Sequence, residues 1–276
     1  MSSSDPVLSA SVVRVSSLGA VSGPDQLVVE EPLEIQIAFG AKEKRQRLAM
    51  AVTMRTPGQD RELALGFLYT EGIIGRLADV LDVRWADNHE NRLLVELHPA
   101  FRFDPARVSR HFYTSSSCGV CGKASLDLVS ATVCHLLKPG QPRVAPEGLY
   151  PLTEALRQQQ RVFECTGGLH AAGLFDADGR LDLLREDVGR HNALDKIIGA
   201  ALLQQRIPLK NQLLVLSGRI GFELVQKALM AGIPFLAAVG APSSLAVQLA
   251  EEHGMTLVGF LRPHSFNIYC GAERVQ

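Results

Sequence analysis

From Cys165 to the C-terminus, short apolar runs alternate with amphipathic ones, and this alternation narrows the possible folds more than any other feature. Residues 169–175, 181–185, 213–216, 235–239 and 256–261 read as strands, with 266–269 as one more. Residues 187–203, 218–231 and 243–253 read as helices, closed at Gly232 and Gly254 where breakers follow. Asp176 to Gly179 is a hairpin turn between the first two strands. Alternation of this kind predicts a layered α/β domain with an at least partly parallel sheet. No internal repeat is visible.

The N-terminal half reads differently. Val28, Val29, Leu33, Ile35, Ile37 and Phe39 alternate with polar neighbours around Pro32, and 48–53 is a second strand. A turn at Arg55-Thr56-Pro57-Gly58 leads into a helix over 60–73, followed by strands at 80–85 and 92–97. The expected organisation is a mobile tail over 1–26, a small α+β domain over 27–112, a connector over 113–150 and the α/β domain over 151–276. The connector carries a Cys-x-x-Cys loop, one helix and a Pro/Gly-rich loop at 139–148. Residues 153–163 are polar and helical, with a solvated glutamine face.

Composition bounds the function. In 276 residues, 46% are apolar, enough for a large core rather than a disordered chain. The net charge of −1 gives no bulk affinity for nucleic acid or for a membrane surface. Five cysteines, an odd number without a disulfide layout, point to a reducing compartment. The first seventeen residues lack a basic stretch followed by an apolar run, and no apolar run reaches membrane-spanning length. The expectation is a cytoplasmic protein.

Cys118 and Cys121 stand in the run TSSSCGVCGK, between glycines and just before the helical spacing of Leu126, Val129 and Val133. No acidic residue occurs between Asp104 and Asp127, whereas Arg107, Arg110, His111 and Lys123 do. A helix start and positive neighbours favour a thiolate, so the pair reads as a nucleophile. Two other readings stay open. Half of a zinc site would need two more ligands, for which Cys134, His135, Cys165 and His170 are available but form no second tight pair. A thioredoxin-like pair should follow a strand, and the lead-in here is short and polar. Cys134 and Cys270 lie in apolar surroundings that suit buried, inert thiols.

In open α/β sheets the ligand crevice lies beyond the carboxyl ends of the strands. Those ends carry Asp187, Arg190 and His191; then Ser217, Gly218 and Arg219; then Gly240, Pro242, Ser243 and Ser244; then Arg262, Pro263, His264 and Ser265. Each arginine alone is an ordinary ion-pair candidate. Three at equivalent ends, with helix starts expected at Gly218 and Ser243, point to an anionic ligand, a nucleotide above all. Neither GxGxxG nor GxxxxGK[ST] is present. His170, after two glycines, suits a general acid/base or a satisfied core histidine equally well.

The blocks EPLEIQI, MRTPG, ELALGFLYTEGII, TSSSCGVCGK, TGGLHAAGLFD, EDVGRHNALDKIIG, SGRIGFELVQKALMAGIP, APSSLAVQLAE and LVGFLRP resemble the formate dehydrogenase accessory sulfurtransferases, the FdhD family of sulfur carriers. The resemblance runs from about Glu30 to Tyr269. It implies a cytidine-deaminase-like α/β/α layered C-terminal domain beside the smaller α+β domain, and a homodimer. It implies that Cys118 carries a persulfide received from a cysteine desulfurase, with Cys121 as its companion. The sulfur would pass to the molybdenum bis(molybdopterin guanine dinucleotide) cofactor destined for formate dehydrogenase. Phe260, Leu261, Arg262, Pro263, His264 and Ser265 would lie on that cofactor, with Arg219, Gly218 and Ser243 beside them and GDP as a mimic. The chain departs from the family's usual residues at Gly221, Gly240 and Ser265. A zinc hydrolase of deaminase type is the alternative, as is a nucleotide-binding regulatory module with a structural Cys pair. The deaminase HxE is absent, since Ala171 and Ala172 follow His170, and no protein-bound zinc is expected.

Overall fold

The computed structural model describes residues 5–86, 90–105 and 135–276. Among these, strands β1 (Val7–Ser16) and β2 (Gly19–Val28) pair antiparallel with each other and with no other strand. The expected mobile tail over 1–26 is therefore corrected to a hairpin. Its signal is faint because each face mixes polarity: Leu8 opposes Leu27, but Ala10 opposes Asp25 and Val13 opposes Ser22.

The next sheet has four strands in the order β4-β3-β6-β5: β3 (Glu31–Phe39), β4 (Gln46–Arg55), β5 (Val80–Trp85) and β6 (Arg92–Leu97). β3 and β6 run parallel; the other pairs are antiparallel. Leu33, Ile35 and Ile37 share one buried face through the period of two. Helix α1 (Asp60–Thr70) covers that face with Leu63, Leu65 and Leu68.

Three short helices follow: α2 (Pro146–Leu149), α3 (Leu152–Gln159) and α4 (Arg161–Thr166). The single helix expected over 153–163 is broken at Gln160, whose ψ of 75° leaves the helical region. Then come β7 (His170–Phe175), β8 (Leu181–Asp187), α5 (Arg190–Leu203), β9 (Leu213–Leu216), α6 (Phe222–Met230), β10 (Phe235–Ala238), α7 (Ser244–Glu252), β11 (Thr256–Arg262) and β12 (Ser265–Cys270). The sheet order is β12-β11-β10-β9-β7-β8. β9, β10 and β11 are parallel, flanked by antiparallel β7 and β12.

Alternation within these strands fills two layers. Leu213, Val215, Phe235 and Ala237 face Leu149, Leu152 and Leu156 of α2 and α3. Leu214, Leu216, Leu236 and Ala238 face α5, α6 and α7. The C-terminal part is thus an α/β/α sandwich, as the alternation predicts. Its inner helix layer also meets α1, so that Leu33, Leu63, Ile197 and Leu214 belong to one continuous core. Arg274, fully buried, donates to the backbone oxygens of Gln141, Gly254 and Lys138 and ties the segment before α2 to the C-terminus. Among the described residues, no helix is long and apolar enough to cross a membrane.

Candidate functional site

The carboxyl ends of the parallel strands form one continuous edge. His170, which starts β7, lies opposite Asp187, which ends β8. Its ring packs on Gly218 beyond β9, where a Cβ would stand 3.1 Å from His170 Nδ1. Gly240 N donates to Gly218 O at 3.0 Å, and Phe260 N donates to Gly240 O at 3.2 Å. The row therefore reads Asp187, His170, Gly218, Gly240, Phe260. With strands about 4.8 Å apart, His170 and Phe260 stand roughly 14 Å apart along it. A Cβ on Gly240 would lie 2.7 Å from Gly218 O, so this crossing needs glycine.

At one end of the row, Phe260 has φ of 52° and is 42% exposed. A bulky residue in the left-handed region is strained, and such strain collects at ligand sites. The register slips between Gly259 and Arg262, which turns the phenyl ring out of the sheet. Arg262 lies along the edge, its Nη1 donating to Val239 O at 2.8 Å and to Leu261 O at 2.9 Å.

At the other end, positive charge gathers. Burial and the charges of Arg190 and Arg219 hold the His170 imidazole below its usual pKa, against a smaller opposing pull from Asp187. His191 is pushed down to about 4 by burial, Arg190, Lys227 and His170. Its ring is neutral at pH 7, so the 3.2 Å contact with Glu223 is a hydrogen bond from Nε2–H rather than an ion pair.

The support beneath this end comes from the N-terminal half. Asp187, fully buried, accepts from Lys196 Nζ at 2.7 Å, Gly189 N at 2.9 Å, Asn192 Nδ2 at 3.0 Å and Thr56 N at 3.3 Å. Lys196 also donates to Thr56 O, and Thr56 Oγ1 accepts from Val188 N. So the Arg55-Thr56-Pro57 turn clamps the loop that carries Arg190 and His191. Asp187 is saturated with donors and acts as a structural anion, not a base. Lys196 and Asn192 were not singled out from sequence, though a lysine among Ala193, Leu194 and Ile197 signals a buried charge in need of a partner.

The predicted site residues fall as follows. Cys118 and Cys121 lie outside the described residues, as does Cys134. Pro263, His264 and Ser265 are exposed at the β11–β12 turn. Leu261 is corrected: the whole residue is buried in the core, and its carbonyl oxygen is taken by Arg262 Nη1. Gly218 is also corrected as a helix start. The chain bends at Ser217 and Gly218 and stays non-helical to Ile220, which bridges Pro242 in parallel, and α6 begins at Phe222 after Gly221. Ser243 does open α7, but its hydroxyl is the cap, accepting from Ala246 N at 3.3 Å. Cys270 is half-buried, bonded to Met255 O, and pushed up to about 11 mainly by burial, which makes it inert. Among the described residues, no three His, Cys, Asp or Glu side chains are grouped to hold a metal ion.

Comparison with known proteins places this arrangement. The chain is 52% identical over 271 residues to a protein named sulfur carrier protein FdhD from Mycolicibacterium paratuberculosis, covering 96% of this chain and 97% of that one. It is 49% identical to the protein of that name from Streptomyces coelicolor (96% and 94% covered) and 43% identical to that of Saccharolobus solfataricus (96% and 96%). A crystal structure from Desulfotalea psychrophila, assigned as a formate dehydrogenase accessory protein, shares the fold with a TM-score of 0.72 at 23% identity over 99% of this chain and all of that one. A family model described as the FdhD/NarQ family matches residues 28–276, and the chain belongs to that family.

Proposed function

We propose that the chain is a sulfur carrier, taking sulfur as a persulfide on Cys118 from a cysteine desulfurase and passing it to a molybdenum bis-guanine-dinucleotide cofactor for formate dehydrogenase. The observation that carries the proposal is near-full-length identity to relatives named sulfur carriers, in a chain that offers Cys118-Gly-Val-Cys121 as its nucleophile. In the loading step the Cys118 thiolate attacks the outer sulfur of the desulfurase persulfide. A new S–S bond forms, the old one breaks, and the desulfurase cysteine leaves as thiolate, with no net oxidation. Cys121 is the companion thiol.

The strand-end edge supplies the cofactor's binding energy in this reading. Exposed Phe260 offers a face on which a purine can stack, and Arg219 and Arg262 suit the phosphates. Two guanine dinucleotide arms on one metal match a homodimer that presents the same edge twice. The proposed setting is the cytoplasm, where thiols stay reduced. Calorimetry with the full chain tests the edge: GDP should bind more tightly than ADP, and sedimentation should show a dimer. A monomer with equal affinity for both nucleotides would defeat this part. About one zinc per chain, lost when both cysteines are replaced, would favour the metal-site alternative.

A further inference from the structure

The His170 end of the edge holds three polar side chains with nothing to bind. Among the described residues, His170, Arg190 and Arg219 make no hydrogen bond and no ion pair, and Arg190 Nε is fully buried without a partner. They come from three places: the start of β7, the start of α5 and the loop after β9. Leaving a buried guanidinium nitrogen unpaired is costly, so a site that keeps one has a use for it. The carboxylates nearby do not neutralise the cluster. Asp187 is consumed by four donors, and Glu223 is bonded to His191.

We propose that His170, Arg190 and Arg219 form an oxyanion subsite for a tetrahedral dianion of the phosphate class, separate from the Phe260 end of the same edge. Two guanidinium groups supply charge and forked donors, and the imidazole supplies one more N–H. Roughly three strand spacings lie between this subsite and Phe260, so one extended ligand can fill both. The subsite deepens the reading of the edge as a nucleotide-cofactor site and rests on it for the ligand's identity, though its test does not.

Binding is linked to protonation. The charged groups facing His170 are Arg190, Arg219 and Asp187, with His191 behind it. Without an anion, burial and the two arginines disfavour imidazolium; a bound dianion opposes them and draws a proton onto His170. Affinity for a dianion of fixed charge therefore falls as pH rises.

Sulfate is the probe, since its charge is constant from about pH 5.5 to 7.5, and titration calorimetry on the full chain is the measurement. The expected loss of affinity across that range is about tenfold. His170→Asn should bind sulfate weakly with no pH slope. Arg219→Gln, in an exposed loop, should weaken binding at every pH and keep the slope. Arg190→Gln should do the same, with a thermal melt confirming that it folds. No slope in the unaltered protein, loss of the slope in His191→Asn but not in His170→Asn, or unchanged binding in both arginine variants would each overturn the subsite. Pyrophosphate competing with GDP would place the dianion on the same ligand; simultaneous binding would mark a separate anion at the same three residues. Equal affinity for GDP and ADP with the slope intact would remove the guanine reading and leave the subsite standing.

Discussion

Gly66 of α1 and Gly199 of α5 meet backbone to backbone: a Cβ on Gly66 would lie 1.8 Å from Asp195 O, and one on Gly199 would lie 1.8 Å from Glu62 O. No side-chain movement relieves such an overlap. The crossing seats the N-terminal sheet against the α/β sandwich, and through Thr56 it holds the loop bearing Arg190 and His191.

Gly199→Ala should therefore force the two helices apart. The expected cost is about 3 kcal/mol, the upper part of the usual range for overpacking. Denaturant unfolding should show a lower midpoint. An alanine variant as stable as the parent would mean that the helices separate freely and that the crossing does not fix the edge.

Phe260 carries a strain that the fold alone does not require. Phe260→Gly should relieve a left-handed backbone and gain about 1 kcal/mol, offset by whatever packing the ring provides. The same variant should lose most of its affinity for GDP. Calorimetry and thermal melts on one sample measure both. Unchanged GDP affinity would remove Phe260 from the ligand site.

The partly buried His191 ring predicts acid sensitivity. In the unfolded chain it titrates near 6.5; in the folded protein it is pushed down to about 4. Above pH 6.5 neither state holds the proton and the full stability is present. Between about 6.5 and 4 only the unfolded chain takes it up, so stability falls as pH falls. After allowance for the ring's partial exposure, the loss is about 2 kcal/mol. His191→Asn should flatten the stability–pH curve over this interval; an unchanged slope would assign the effect elsewhere.

Much of this was legible in the sequence because burial leaves a local trace. β6 and β9 fall where the apolar runs stand, since each strand packs its own side chains on a neighbouring layer. The hairpin of β1 and β2 was not legible, because a ribbon with two mixed faces has no period to read. The start of α6 was missed because Ile220 is held by Pro242, a partner more than twenty residues away. Arg274 gave no sign of its burial, since its acceptors are backbone oxygens of Gln141, Gly254 and Lys138. At the site, Arg190, Arg219 and Arg262 stood out together as strand-end arginines, and His170 stood apart from them. That His170 joins this edge depends on β7 running antiparallel between β8 and β9, a pairing that strand–helix alternation does not specify.

The most direct measurement is the intact mass of the protein after incubation with a cysteine desulfurase and cysteine. The unaltered chain should gain one sulfur, removable by a reductant, and Cys118→Ala should gain none and fail to support formate dehydrogenase maturation. Full sulfur loading of Cys118→Ala would contradict the account at its centre.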